Sequence, residues 1–461
     1  MTAAKKASSR KSSSSVAKAA GGEGRGAESA PPAVASDSTF PDELEALLQA
    51  FVRSSTLPQK QHSRLLAVLK SFSTYFLATY PQDRWISLLA ALRQPTRYAC
   101  LVNRHADPLD VVKALQQQSH QQRQQNKKAE ASENTYTEDS PAVQSQLEYT
   151  PVPWLRSCRL FVLPEAKPEP GVRTPSVVRP FPPPGRDIRN TATHYLLDLA
   201  SALPVEALDI RPGDKVLDIC AAPGGKSLCI LQSLSGPKAG DDGKPLKRGV
   251  LHANEISNER RKRLRNVLQS YVPDGFAEAT KDANGAAFIQ LTGVDGTSGS
   301  SDGAFEAGSY DKVLLDAPCS GERHLLHDEE EMLSWTPART KANSKRQMAL
   351  LREAVRCVKM GGMVVYATCS LSQEENDGVV AKVLAKLEKE RGKASGKAVD
   401  TEDDFDDDAF VMEVVKRKKS KAWPVGEKTK HGWMILPDRD GGWGPIYFSV
   451  LKKSPMDQLA I

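Results

Sequence analysis

Val216-Leu217-Asp218-Ile219-Cys220-Ala221-Ala222-Pro223-Gly224-Gly225-Lys226-Ser227 is the stretch that decides the fold. It opens as an apolar run of the kind that forms a buried parallel strand. It then breaks into alanines, a proline and two glycines, which let the backbone turn sharply and approach a ligand closely. The pattern repeats downstream. Strands are expected near 216–220, 249–255, 276–282, 312–317 and 361–369, and helices near 225–234, 257–271, 343–359 and 374–389. Met348, Leu351, Val355 and Val358 form one apolar face of the third of these helices. A last strand is expected over Pro445-Ile446-Tyr447-Phe448-Ser449-Val450-Leu451. Strands alternating with helices predict an α/β fold, a Rossmann-like doubly wound parallel sheet whose ligand crevice lies beyond the carboxyl ends of the strands.

The loop also discriminates among cofactors. A dinucleotide site would carry GxGxxG here, and the chain does not. A triphosphate loop would need GxxxxGK[ST]; Gly225-Lys226-Ser227 completes such a motif, but Cys220 stands where its first glycine belongs. Glu255 ends the second strand, where an acid holds ribose hydroxyls. Asp282 ends the expected third strand and is a candidate for the adenine edge. Arg260, at the start of the following helix, is a candidate for steadying the ribose. A loop of Cys220, Ala221, Ala222, Pro223, Gly224, Gly225 and Lys226 with two strand-end acids and no phosphate cradle favours S-adenosylmethionine over NAD or ATP.

Two further strand ends carry thiols. Val313-Leu314-Leu315-Asp316-Ala317-Pro318-Cys319-Ser320-Gly321 and Met363-Val364-Val365-Tyr366-Ala367-Thr368-Cys369-Ser370 each present a cysteine just after an apolar strand. Two thiols delivered to one crevice suggest covalent chemistry. Cys220, Cys229 and Cys357 read as core residues, the common fate of a free cysteine.

The rest of the chain sets bounds. It has 461 residues, 39% of them hydrophobic, enough for at least one real core. Mean hydropathy is −0.45, polar for a compact enzyme, which points to polar insertions. Sixty-three basic and 57 acidic residues leave a net charge of +6, a bias compatible with nucleic acid. Seven cysteines without CxxC spacing form neither a disulfide framework nor a metal site. No apolar run is long enough to cross a bilayer, and the N-terminus lacks a secretory apolar core.

Residues 1–38, rich in Ser, Ala, Gly and Lys, read as a disordered basic tail, of a composition shared by mitochondrial transit peptides and nuclear tails. Residues 41–116 read as an α-helical region, from the helical spacing of Leu44, Leu47, Leu48 and Phe51, then Leu65, Leu69, Phe72 and Phe76, then Trp85, Leu88, Leu89 and Leu92. Residues 117–188 form a linker with a strand over Ser157–Pro164 and a proline-rich run from Pro168 to Pro184. A helix from about Asn190 to Leu203 leads into the main domain, residues 189–453, which polar insertions interrupt near 235–248, 292–309 and 388–430.

Asp218-Ile-Cys-Ala-Ala-Pro-Gly-Gly-Lys226, Asp316-Ala-Pro-Cys319-Ser-Gly and Thr368-Cys369-Ser370, in this order, resemble the Sun/RsmB-type RNA cytosine-5 methyltransferases over roughly Asn190–Lys453. Glu322-Arg323-His324-Leu325-Leu326-His327-Asp328-Glu329-Glu330 resembles the mitochondrial subgroup, whose members act on organellar ribosomal RNA or on a transfer RNA. Tyr98-Ala99-Cys100-Leu101-Val102-Asn103, Phe181-Pro182-Pro183-Pro184, Gln269-Ser270-Tyr271-Val272-Pro273 and Trp443-Gly444-Pro445-Ile446-Tyr447-Phe448 point the same way. The ribosomal-RNA branch is the nearer.

The resemblance implies a methyl transfer from S-adenosylmethionine to carbon-5 of cytosine. It assigns Cys369 as the nucleophile and Cys319 as the residue that helps release product, with Asp316 holding the flipped cytosine or the methionine end of the cofactor. DNA cytosine-5 methyltransferases use the Pro-Cys cysteine and lack the Thr-Cys one, so the coexistence of both implies RNA. Arg323, His324, Lys341, Lys345 and Arg346 are candidates for RNA phosphate. The implied setting is mitochondrial, with nucleus or cytoplasm as alternatives. The implied partner is ribosomal RNA rather than transfer RNA, with no membrane, for a monomer or a heterodimer with a guiding protein. The competing class is an RNA-binding ribosome assembly factor with vestigial catalysis.

Overall fold

The computed structural model describes residues 41–107, 109–111, 150–163, 181, 183–234, 249–272, 288–297, 305–395, 410–416 and 423–456. Helices α1 (Asp42–Arg53), α2 (Gln59–Leu77) and α3 (Gln82–Leu92) follow the expected apolar spacing, and Leu44, Leu48, Phe51, Leu65, Leu69, Phe72, Phe76, Trp85, Leu88 and Leu92 are all buried. Pro58 and Pro81 stand at the N-caps of α2 and α3, where a missing N–H costs nothing.

A strand interrupts the region expected to be helical over 41–116, whose residues 112–116 lie outside the described ones. Strand β1 (Ala99–Val102) pairs antiparallel with β3 (Leu160–Val162), within the strand expected at 157–164, and with β4 (His194–Leu197); β2 (Thr150–Pro151) completes a four-stranded sheet. The helix expected from Asn190 to Leu203 is therefore corrected. His194–Leu197 is extended because β1 offers it a hydrogen-bonding edge. The helical turns begin only at Leu199, where the Asp198 side chain accepts the Ala200 N–H, and α4 is Leu203–Ala207.

The main sheet is built from β5 (Lys215–Asp218), β6 (Val250–Asn254), β7 (Ile289–Thr292), β8 (Tyr310–Asp316), β9 (Val358–Thr368), β11 (Glu427–Lys428), β12 (Trp433–Ile435) and β13 (Ile446–Pro455), in the order β11-β12-β13-β9-β8-β5-β6-β7; β10 (Phe410–Val414) pairs separately with β13. β9, β8, β5, β6 and β7 run parallel, and the pairings of β10 to β13 are antiparallel, so the sheet is mixed. Between the strands lie α5 (Gly225–Leu234), α6 (Asn258–Tyr271), α7 (Glu322–Leu325), α8 (Glu329–Met332), α9 (Pro337–Cys357) and α10 (Asp377–Ser395).

Successive residues of the central strands face opposite sides of the sheet, and both sides are buried, as cover on both faces requires. Val216, Leu314, Val365 and Ala367 join the core shared with α4, α5, α6 and the small sheet. Leu217, Val313, Leu315, Val364 and Tyr366 are equally buried but lie outside that cluster, on the other face.

Two expectations shift along the chain. The third parallel strand is Ile289–Thr292; the expected strand at 276–282, and Asp282 with it, lie outside the described residues. The stretches expected as insertions near 292–309 and 388–430 are partly structural, since β7 ends at Thr292, α10 runs to Ser395, and β10 and β11 pair within the sheet. Residues 235–248, the tail 1–38 and most of the linker lie outside the described residues.

From Glu43 to Ile461 the chain is one compact unit. The helical layer is fastened to the segment between α7 and α9 by Phe72 against Trp335, with ring centroids 4.9 Å apart, by His327 Nε2 at 3.0 Å from Leu92 O, and by Glu329, which accepts from Ser55 Oγ and Thr56 N at 2.9 Å each. Burial of each aromatic side chain contributes about 1.5–3 kcal/mol, more than a polar contact at the rim. No described helix is long and apolar enough to cross a membrane.

Candidate active site

The parallel strands end on one crevice. β5 delivers Asp218, buried, whose Oδ2 accepts the Ser227 hydroxyl at 2.7 Å. Burial pushes this carboxyl up to about 7, against the pull of Ser227. Its other oxygen is buried without a hydrogen-bond partner. Gly224 takes φ +120°, and a Cβ there would stand 3.1 Å from both Leu264 and Val267 of α6; a Cβ on Gly225 would stand 3.0 Å from the Tyr195 ring. The loop therefore needs both glycines to lie down between α6 and β4.

Asn254, at the end of β6, ties the strand ends together. Its amide donates to Ile219 O and Val294 O at 3.0 Å each, and its oxygen accepts from Val294 N at 2.8 Å. The next residue, Glu255, is buried and accepts Ser257 N–H at 2.9 Å. Arg260 donates to Ala222 O at 2.9 Å and lies 3.4 Å from Glu255 Oε2, so it clamps the loop to the strand-end acid. The acid that follows the third strand is Asp295, which accepts from Thr297 N at 2.8 Å. Sequence reasoning missed it because the strand itself was expected earlier; the run Phe288-Ile289-Gln290-Leu291 was the available signal.

Lys226 is not a solvated first-turn lysine. Its Nζ lies 2.7 Å from Asp316 Oδ2, with the side chain 13% exposed. Burial works against its charge, but Asp316, and after it Cys369 and Asp218, outweigh burial and hold the ammonium above the usual lysine range.

The two thiols meet. β8 and β9 are parallel neighbours with Asp316 opposite Ala367, so Cys319 and Cys369 leave the sheet side by side. Their sulfurs are 3.0 Å apart, Cys369 exposed and Cys319 half-buried. The contact with Cys369, and burial after it, push the Cys319 thiol well up. Cys229 and Cys357 are buried in the core as expected; Cys220 is partly exposed in the cofactor loop, and burial raises its thiol too.

Around the thiols sit groups that motif reading did not single out. Glu322 accepts Ser370 Oγ and Leu371 N, both at 3.0 Å, and burial followed by Glu375 pushes its carboxyl up to about 7. Glu375 accepts Ser320 N at 3.1 Å and Gln347 Nε2 at 2.7 Å. Tyr80 donates to Leu371 O at 3.2 Å, and the Tyr75 hydroxyl lies 3.0 Å from Ser372 Oγ, so the helical layer reaches the Cys369 loop. Their signal was weak, since lone acids and tyrosines carry no spacing.

Arg323 is corrected. It is not a phosphate ligand: it is 8% exposed, and its guanidinium is spent on the carbonyls of Gly442, Gly444, Gln94 and Pro95. His324 is exposed and pairs with Glu331 at 3.3 Å. Lys341, Lys345 and Arg346 are exposed on α9.

The crevice suits a cationic sulfonium nucleoside. A cavity of about 200 Å³ is lined by Tyr195, Leu197, Asp218, the loop from Cys220 to Lys226, and Asp316. Asp218 Oδ1 is buried without a hydrogen-bond partner, and the buried Glu255 Oε2 has only the Arg260 guanidinium beside it, at 3.4 Å. Carboxylates favour a sulfonium and ribose hydroxyls and repel a pyrophosphate.

A Rossmann-like sheet with a sulfonium-fitting crevice and strand-end thiols defines an S-adenosylmethionine-dependent methyltransferase. The sequence profile described as 16S rRNA methyltransferase RsmB/F matches residues 205–424. The chain is 30% identical over 403 residues to a Bos taurus protein named 5-cytosine rRNA methyltransferase NSUN4, covering 86% of this chain and 90% of that one. It is 36% identical over 263 residues to a Danio rerio protein named mitochondrial tRNA (cytosine(34)-C(5))-methyltransferase, covering 56% of this chain and 60% of that one. Among solved structures, NSun6 from Pyrococcus horikoshii with SFG matches with a TM-score of 0.51 at 16% identity, over 83% of this chain and 97% of that one, which supports the fold. The chain belongs to the RsmB/F family and is an RNA cytosine-5 methyltransferase that uses S-adenosylmethionine.

Proposed function

We propose that the chain forms 5-methylcytosine in mitochondrial ribosomal RNA through a covalent bond between Cys369 and carbon-6 of the target base. The observation that carries the covalent route is the exposed Cys369 sulfur, 3.0 Å from the Cys319 sulfur at the mouth of the crevice.

Carbon-5 of cytosine is a poor nucleophile within the aromatic ring. Addition of the Cys369 thiolate to carbon-6 breaks that aromaticity and makes carbon-5 enamine-like. Bound S-adenosylmethionine supplies an electrophilic methyl group. Asp218, Glu255 and the loop from Cys220 to Lys226 hold it, with Arg260 acting through Ala222 and Glu255, and Asp295 takes the place first given to Asp282 at the third strand end. Lys226 keeps positive charge near Cys369 and steadies Asp316, whose free oxygen suits the amino edge of the base. Product release requires transfer of the carbon-5 proton to a base and departure of Cys369 as a thiolate; Cys319, whose thiol holds its proton tightly and touches the Cys369 sulfur, is placed to donate to that sulfur as its bond to carbon-6 breaks. A base inside a stack cannot reach such a crevice, so the target is flipped out or unpaired.

Ribosomal RNA is supported by the reach of the bovine alignment, whose 403 residues extend into the helical layer that braces the Cys369 loop. A transfer-RNA reading is favoured by the higher identity to the zebrafish protein over a shorter span. The mitochondrial setting is supported by that relative's name and by the basic N-terminal composition. A monomer or a heterodimer with a guiding protein is the working form we propose. Bisulfite sequencing of organellar RNA from cells with and without the protein tests the function: one ribosomal cytosine loses its methyl group when the protein is removed, and loss confined to a transfer RNA selects the second reading.

A further inference from the structure

We propose that Glu322 and Glu375 are positioning residues, a buried carboxyl pair that shares one proton across Ser370 and holds the two cysteine loops in register. The proposal deepens the covalent reading, because it concerns how the same two thiols are held.

Both carboxyl groups are fully buried. Each belongs to one cysteine loop and grips the other. Glu322, three positions after Cys319, accepts from Ser370 Oγ and Leu371 N, the residues that follow Cys369. Glu375, six positions after Cys369, accepts from the backbone and hydroxyl of Ser320, the residue that follows Cys319. Gln347 of α9 donates both to Glu375 and to Pro318 O, at 2.7 and 2.8 Å, and anchors this cross-link to a long helix.

Proton counting sets the charge. Ser370 Oγ has one proton to give and already accepts the Ser372 N–H at 3.0 Å. It lies 3.0 Å from Glu322 Oε1 and 3.3 Å from Glu375 Oε1. A single hydroxyl proton serves one of these contacts; the other becomes a hydrogen bond only when a carboxyl carries a proton and donates it. The surroundings offer no alternative. The titratable groups facing the pair are Tyr75 from α2, Tyr80 just beyond it, Tyr366 from β9 and Cys319 from its own loop, none of them a cation. Among the described residues no cation forms an ion pair with either carboxyl. Two carboxylates in one buried site cannot both ionise without mutual repulsion. A single shared negative charge, met by N–H donors on both loops, is the stable state. Loss of the shared proton drives the two loops, and with them the two sulfurs, apart.

The test is the pH dependence of iodoacetamide alkylation at Cys369 in the full chain, read by peptide mass spectrometry between about pH 6 and pH 9, which brackets thiol ionisation. In the unmodified protein the rate falls below the simple thiol curve as pH rises past about 7, where burial and Glu375 set the Glu322 proton. Glu375→Gln, whose amide reproduces the protonated carboxyl, keeps the low-pH rate and follows the simple curve throughout. Glu375→Ala loses about tenfold in rate, the scale expected when a reacting group is slightly misplaced. A Glu375→Gln profile that keeps the wild-type break, or equal rates in the Gln and Ala variants, overturns the proposal; if the Ala variant does not fold, the Gln profile still decides. Because this readout needs no RNA, failure here leaves the covalent mechanism standing, and loss of methyl transfer with an intact alkylation profile counts against the mechanism alone.

Discussion

Lys226 Nζ lies 2.7 Å from Asp316 Oδ2, and this ion pair joins the cofactor loop to the strand that leads to Cys319. It also sets the charge near the Cys369 sulfur, the proposed nucleophile, since Lys226 responds to Cys369 as well as to Asp316. Lys226→Met leaves Asp316 as an uncompensated negative charge beside the thiols. We expect the pH–rate profile for single-turnover methyl transfer to move to higher pH by about one unit, a typical effect of one nearby charge. An unmoved profile would show that the pair acts only on the loop's shape.

Asp218 gives a stability prediction with a definite sign. Its carboxyl is pushed up to about 7 by burial, above an unfolded value of about 3.9. The folded protein therefore binds the proton more tightly. The resulting stabilisation is present in full below the unfolded value and is lost as pH rises through about 7. Asp218→Asn removes this dependence: the ligand-free variant gains stability relative to the parent above pH 7, seen in urea titrations at a series of pH values. The same change weakens S-adenosylmethionine binding by calorimetry, because the cationic sulfonium loses its buried counter-charge. A variant that binds as tightly as the parent contradicts the role given to Asp218.

Arg323 separates structure from RNA binding. Its guanidinium meets four backbone carbonyls from two distant segments, so Arg323→Ala leaves buried acceptors unpaired. The expected loss is about 2–4 kcal/mol in urea unfolding. The folded fraction keeps its RNA affinity and its salt dependence, whereas a phosphate ligand would flatten the salt slope.

The helical layer reaches the Cys369 loop through Tyr80, which donates to Leu371 O. Tyr80→Phe deletes the hydrogen bond to Leu371 O, a loss of about 1 kcal/mol in stability. It lowers kcat severalfold with KM unchanged, since the loop moves and the RNA surface does not. Equal losses in both parameters would assign Tyr80 to RNA binding instead.

Much of this architecture was readable before any coordinates. Val216–Ser227 has a buried strand's apolar run and then glycines that only a tight loop needs, and both features are local. The thiols of Cys319 and Cys369 were placed together by strand periodicity alone. What escaped depended on partners distant in sequence. His194–Leu197 is extended because β1, some ninety residues earlier, supplies its edge. The strand at Ile289–Thr292 is too short to stand out, so the acid that follows it, Asp295, was not singled out. Arg323 resembled a phosphate ligand because an arginine's burial is decided by tertiary packing. Glu322 and Glu375 looked like ordinary acids until the fold brought them to one serine.

The most direct measurement of the central claim is denaturing electrophoresis and mass spectrometry of the protein after incubation with unmodified ribosomal RNA and S-adenosylmethionine. Cys319→Ala accumulates a covalent protein–RNA species mapped to Cys369, and the double variant Cys319→Ala with Cys369→Ala shows none and transfers no methyl group. Full methyl transfer by Cys369→Ala, or an adduct mapped to Cys319 in the unmodified protein, contradicts the account.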